Sequence, residues 1–278
     1  VEVIRDRRNV HAVALDRRRT GRVDVQINCR RGARGVLVLR IAVAASQPAD
    51  MRLAAAAAVA QVRRNGLEDA ARRLRSGASP GIVDRLVAVR LLREPDSVDA
   101  RTLLLEMVQD EDSSVVAGAL EPLVELEPAR VIPLAKATIA RGDANVRRLV
   151  AVALAVCPSA DNLTVLGDLL ADPIPSLRAA VRQSLEKLAQ SPEWRPEVLR
   201  QGERMVHSER WTALEQSVVL LGTLNHVPPA DRFVELLGHP RAEVYVAAAW
   251  GLRRLGVERT LAPALAAARK RNENRQEL

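Results

Sequence analysis

The feature that most constrains what this chain can fold into is a motif that returns at a nearly constant interval. The segment Asp-Pro-Ile-Pro-Ser-Leu-Arg-Ala-Ala-Val, residues 172–181, recurs in degraded form. Aligning its Leu177 gives equivalents at Met51, Val83, Val115, Val146, Ala213 and Val244, at steps of 32, 32, 31, 31, 36 and 31 residues. A period of that length accommodates two helices and two turns, and repeats of this kind stack on their neighbours because one unit alone cannot bury its apolar face.

Other offsets test the alignment. Eight residues after the anchor stand Val59, Leu91, Leu123, Leu154, Leu185, Leu221 and Leu252, all apolar. Four after it stand Ala55, Val87, Ala119, Val150, Val181, Ser217 and Ala248, all small or β-branched. Eleven after it, Val62, Leu126, Cys157, Leu188, Leu224 and Leu255 are apolar and Glu94 is not. Positions 0, 4, 8 and 11 share one face of a 3.6-residue helix. The anchor therefore opens the second helix of each pair, with its small position where a neighbouring helix comes close.

Upstream of each anchor lies a first helix, clearest in Leu163, Leu166, Leu169 and Leu170 and in Phe233, Leu236 and Leu237. Between the two helices are turn residues such as Asp110-Glu111-Asp112, Gly142-Asp143, Asp172-Pro173 and His239-Pro240, with Asn145 and Ser176 placed to cap the second helix. Pro95, Pro128, Pro158, Pro192, Pro196, Pro228 and Pro229 punctuate the connections between pairs. Two features disturb the period. Pro122 falls inside a second helix and predicts a bend there, and the insertion Ser191-Pro-Glu-Trp-Arg-Pro196 accounts for the 36-residue step.

Residues 172–188, DPIPSLRAAVRQSLEKL, resemble a HEAT repeat of the short kind found in bacterial HEAT-like and bilin-lyase-type proteins, and the resemblance extends over about residues 33–268. It implies an all-α fold, an α-α superhelix of about seven helix pairs. In that family an Asp in the turn and an Arg early in the second helix can form a ladder along the stack. Asp172 and Arg178 match that spacing, and the Arg recurs at Arg52 and Arg147. Asp84, Val116, Leu214 and Tyr245 take its place elsewhere, so the implied ladder is incomplete.

Aromatic residues are only 2% of the chain against 48% hydrophobic, so the core is aliphatic and closely spaced. The net charge of +8 is unevenly placed. Residues 1–35 hold ten Arg against four acids, residues 269–278 hold four basic residues against two acids, and the body between them is balanced. With 39 Arg and only Lys136, Lys187 and Lys270 as lysines, the basicity resembles a coding bias more than selection for phosphate binding. Cys29 and Cys157 have no metal-ligand spacing and predict neither a disulfide framework nor a zinc site, which is compatible with a reducing compartment. The longest nearly apolar runs, residues 36–45 and 53–62, are shorter than the roughly 18 residues of a membrane span, which predicts a soluble protein.

Ahead of the repeats, Val23, Val25, Ile27 and Cys29 alternate with Asp24, Gln26, Asn28 and Arg30, the period of a half-buried strand. Val10–Leu15 is its expected partner, with Asp16–Gly21 as the turn. A hairpin alone is marginal in water, so it packs on the first repeat or closes an upstream β domain; a start at Val favours the second. Residues 35–45 fit either a third strand or the first helix of repeat one, and the distance to Met51 favours the helix. The expected division is a basic β-hairpin segment (1–32), the repeats (33–268) and a charged C-terminal tail (269–278).

No phosphate loop, nucleophile elbow, metal triad or framed acid pair is present, so a non-catalytic role without cofactor or metal is expected. The wider resemblance includes deoxyhypusine hydroxylase, but its paired His-Glu iron-ligand motifs are absent; it also includes HEAT-like alkylpurine glycosylases, whose basic concave surface the neutral body does not match. The leading expectation is a scaffold that binds a protein partner on the extended surface of the stacked helices. Trp194, on the inserted loop, and Trp250 are its candidate contacts; Trp250 fits either inter-repeat packing or an exposed contact. Arg17, Arg18, Arg19, Arg22, Arg30, Arg31 and Arg34 make a candidate anion-binding arm, which supports a second expectation, salt-sensitive nucleic-acid binding. A third is that the repeats are the C-terminal appendage of a larger enzyme.

Overall fold

The computed structural model describes residues 12–17, 23–28, 34–62, 66–77 and 80–276. From Arg34 onward the described chain is helical. Two strands precede it, β1 (Ala12–Arg17) and β2 (Val23–Asn28), paired antiparallel with Ala12 opposite Asn28 and Arg17 opposite Val23. The first strand therefore runs through Asp16 and Arg17, which the sequence placed in the turn, because Val23 and Asp24 need partners beyond Leu15. Val10 and Cys29 lie outside the described residues. The helices are α1 (Arg34–Val43), α2 (Ala49–Val62), α3 (Leu67–Arg75), α4 (Ile82–Leu91), α5 (Val98–Met107), α6 (Ser113–Leu126), α7 (Pro128–Val131) and α8 (Ala135–Arg141). They continue with α9 (Ala144–Val156), α10 (Ala160–Leu169), α11 (Pro175–Leu188), α12 (Arg195–Met205), α13 (Trp211–Thr223), α14 (Ala230–Leu236), α15 (Ala242–Leu255) and α16 (Leu261–Gln276). Residues 35–43 are thus helix, and α16 runs well into the charged stretch 269–278.

The contacts divide the chain into two compact units. One extends to Val131 and includes Ala140–Leu149; the other comprises Ile132–Ile139 and the chain from Val150. In the first, α1 packs on α2, α3 on α4 and α5 on α6. First helices also pack on first helices, α1·α3 and α3·α5, and second helices on second, α2·α4 and α4·α6, while β2 lies against α2. The second unit repeats the scheme with α10 on α11, α12 on α13 and α14 on α15, joined through α10·α12 and through α11·α13·α15. The dividing line passes through α8 and α9.

Burial follows the sequence register. The position four after the anchor, from Ala55 to Ala248, is no more than 1% exposed in any repeat, and the position eight after it is buried throughout. Eleven after the anchor the helix is leaving the core: Leu126 is 54% exposed, whereas Leu224 is buried. Small residues let the helices approach. A Cβ added at Gly118 in α6 would lie 2.6 Å from Val89 Cγ1 in α4. Gly118→Ala gains about 1 kcal/mol of helix propensity, but overpacking a β-branched neighbour costs roughly 1–3 kcal/mol. We expect chemical denaturation to show a net loss for Gly118→Ala, and a Val89→Ala/Gly118→Ala double variant to lose less than the sum of the singles.

α6 continues unbroken through Pro122, whose ring is buried, even though proline removes one intrahelical donor. The caps differ from the sequence reading. α9 and α11 start one residue before Asn145 and Ser176, which therefore sit inside the first turn. Asp143 caps α9 instead, its Oδ1 accepting the Val146 N–H at 2.9 Å. α13 ends in a Schellman motif, with the His226 N–H on Leu221 O at 2.9 Å, the Asn225 N–H on Gly222 O at 3.1 Å, and Asn225 at φ 53°.

Candidate functional site

Of the four candidate ladder residues, Asp172, Arg178 and Arg147 lie in or reach the turn between two helices, and Arg52 reaches the end of α1. Arg178, in the first turn of α11, is 5% exposed. Its Nη1 donates to the carbonyls of Asp172 at 2.9 Å and Pro173 at 3.2 Å, and its Nη2 lies 3.6 Å from Glu215 Oε2 on α13. Asp172, also buried, accepts the Ile174 N–H at Oδ1. Trp211, at the start of α13, has the Arg178 guanidinium 5.7 Å and the Arg241 guanidinium 5.4 Å from its ring centroid. Arg178, Trp211 and Arg241 therefore link three successive helix pairs by cation–π contacts.

In the first unit Arg52 and Arg85 make ion pairs with the neighbouring helix pair. Arg52, also 5% exposed, donates to Ala42 O at 3.0 Å and pairs with Asp84 at 2.5 Å. Asp84 occupies the position where the repeat would have placed another Arg, so the substitution supplies a partner for Arg52. Arg85, one residue on, meets Asp110 at 3.1 Å and Glu111 at 3.2 Å. Arg147 donates to Gly142 O at 2.8 Å.

Two regularities escaped the sequence reading. Five residues before the anchor, Asp110, Asp172, Ser208 and His239 each accept the backbone N–H two residues ahead, so chemically different side chains perform one turn-closing task. The abundant arginines satisfy helix-end carbonyls: Arg141 donates to Val108 O, Arg195 to Leu224 O, Arg232 to Val206 O, and Arg271 to Leu237 O and His239 O. The last four carbonyls of a helix lack intrahelical partners, and a planar guanidinium with five donors can reach several at once. Hydrogen bonds from Arg130 and then Arg101 hold the Glu127 carboxyl below its ordinary range.

The outward face of the second helices is read two, six and ten residues after the anchor. In the second unit it carries Val152, Val156, Val246 and Trp250, which are 40%, 59%, 57% and 42% exposed. Trp250 lies on Gly222 of α13: a Cβ there would meet the ring at 2.7 Å. The tryptophan thus packs between repeats and also presents part of its ring to solvent, with Val246 one turn away. Trp194 is half-buried at the N-cap of α12, at the end of the inserted loop. The arm is placed only in part. Arg17 lies in β1 and Arg34 opens α1, but their side chains, and Arg18, Arg19, Arg22, Arg30 and Arg31 altogether, lie outside what the structure describes.

His226 Nε2 lies 2.6 Å from Glu203, His239 serves the turn, and His207 is exposed. Among the described residues, no three His, Cys, Asp or Glu side chains gather as metal ligands, and no helix is long and apolar enough to cross a membrane. No protein-family model and no curated protein matches this chain. Among solved structures, the crystal structure of an engineered protein is similar at 16% identity, over 83% of this chain and 71% of that one, with a TM-score of 0.43. The crystal structure of another engineered protein is similar at 17% identity, over 80% of this chain and 96% of that one, with a TM-score of 0.29.

Proposed function

We propose that this chain is a non-catalytic scaffold of HEAT-type helix pairs, an α-solenoid, that binds a protein partner on the outward face of its second helices. The single observation that carries the reading is the half-exposed Trp250 seated on Gly222 beside exposed Val246. A large aromatic held rigid by its neighbours and still open to solvent is the kind of residue that anchors protein interfaces. The pairwise packing of first on first and second on second helices, and the seven buried register positions, support the solenoid. β2 lies against α2, which joins the strand pair to the first helix pair. Arginines committed to carbonyls and carboxylates inside the helical body are not free to neutralise phosphates, which favours protein over nucleic acid as the partner.

The test is affinity capture on the immobilised 278-residue chain, compared with a Val246→Ser/Trp250→Ser variant, with nuclease present. We expect specific proteins to be retained by the parent chain and depleted about tenfold or more by the variant, the scale of losing an anchor residue. Retention of no protein, or recovery that disappears with nuclease, contradicts the proposal. If nucleic acid is instead held in a salt-sensitive way, deleting residues 1–35 should abolish it, which identifies the arm as its site.

A further inference from the structure

We infer that α16 is a strap that opens and recloses on α14 and α15 while the rest of the second unit stays folded, hinged at Gly256–Thr260 and pinned near its far end by Arg271. Little else holds the helix. Of residues 261–271, only Ala264, Ala267 and Arg271 are not exposed, and their spacing of three and four puts them on one face. None of the three is fully buried. The two alanines rest against the cluster around Phe233 and Leu252, and an alanine methyl removes little apolar area from water. A helix of this length is marginal by itself, so its docking depends on the third contact.

That contact is strong. Arg271 Nε donates to Leu237 O at 3.0 Å, and its Nη2 donates to Leu237 O and, at 2.8 Å, to His239 O, at the C-terminal end of α14. The guanidinium also lies 3.8 Å from the centroid of the Tyr245 ring in α15. Hydrogen bonds from a charged donor are stronger than neutral ones, and a cation over an aromatic face adds to them. One side chain thus ties α16 to both helices of the pair beneath it. At the other end, Gly256 closes α15 in the left-handed conformation at φ 60°, and buried Thr260 donates its hydroxyl to Val257 O at 2.7 Å. From Thr260 to Arg271 is about 16 Å of helix, which swings away when the Arg271 contacts break. Opening bares the flank of the Phe233 cluster that the two alanines cover. These contacts are independent of the outward face described above.

Hydrogen exchange read by mass spectrometry on the 278-residue chain tests the strap. The variant is Arg271→Met, which removes the donors and keeps an unbranched side chain; Lys270→Met is the control on an exposed neighbouring cation. In the parent, amides of residues 264–271 should be protected, but about tenfold or more below those of 248–252, because local opening is easier than unfolding the unit. Arg271→Met should lower that protection about tenfold or more, or to none, the scale of charge-assisted bonds. It should leave 248–252 within about twofold, and Lys270→Met should change neither. Unprotected amides at 264–271 in the parent overturn the inference, because no closed state then exists. Protection equal to that of 248–252, or a loss of the same factor in both segments, also overturns it, because α16 is then part of the core. So does Arg271→Met that leaves α16 unchanged, or Lys270→Met that loosens it as much.

Discussion

Phe233→Ala is expected to lower the unfolding free energy of the second unit by about 3–5 kcal/mol, among the largest effects open to a single substitution here. Phe233 is fully buried and is the one phenylalanine of the chain. It lies among Val218, Leu236, Val244, Ala248 and Leu252, where α13, α14 and α15 meet. Its ring also takes the space of a missing side chain: a Cβ on Gly251 would lie 2.9 Å from the ring edge. The α15 backbone therefore rests on the ring, and alanine leaves a cavity that rigid helices can only partly close. Trp194, Trp211 and Trp250 all belong to this unit, so their fluorescence during urea denaturation follows it even if the two units unfold separately. A loss below about 1 kcal/mol would show that the ring is not the keystone of this cluster.

Arg178→Met is expected to cost about 3 kcal/mol. Removing one member of a buried ion pair costs about 3–5 kcal/mol because its partner is left uncompensated. The lower end applies here because the Glu215 side chain keeps 24% exposure. The same change strips the Asp172 and Pro173 carbonyls of a donor and Trp211 of one of its two cations. Arg178 Nε and Glu215 Oε2 are buried without a hydrogen-bond partner, so the pair is strained in its desolvation even when intact. Adding Glu215→Leu to Arg178→Met should therefore recover part of the loss, and a double-mutant cycle followed by urea denaturation measures how much. Strict additivity of the two single changes would contradict a direct Arg178–Glu215 coupling.

How much was legible in the sequence depends on which force placed each residue. The second helices were readable because burial imposes a 3.6-residue pattern, and Leu154, Leu185 and Leu221 could not be polar without exposing the stack's interior. Arg52 and Arg178 were readable as a spacing, but not their partners: Asp84 and Glu215 lie 32 and 37 residues away along the chain and reach them only through the packing of neighbouring pairs. The cap positions failed because Asn145 and Ser176 look like helix starters, while Asp143 and Ile174 hold the boundaries. Trp211 drew no notice among the candidates because nothing local marks it; it matters through Arg178 and Arg241, each in a different helix pair. Trp250 was readable as a candidate contact, but not its setting. A half-exposed Trp250 is defined by the absent side chain of Gly222 on another helix, and the sequence shows no sign of that seat.

Amide hydrogen exchange on the intact chain distinguishes helix pairs that pack in one register from pairs that do not. Protection tracks how deeply each backbone segment sits in cooperative structure. Exchange should be slowest in residues 55–59, 87–91, 119–123, 150–154, 181–185, 217–221 and 248–252, separated by fast turns and therefore recurring with the 31- to 36-residue period. Two or more of these seven segments exchanging as fast as the turns between them would contradict the single register.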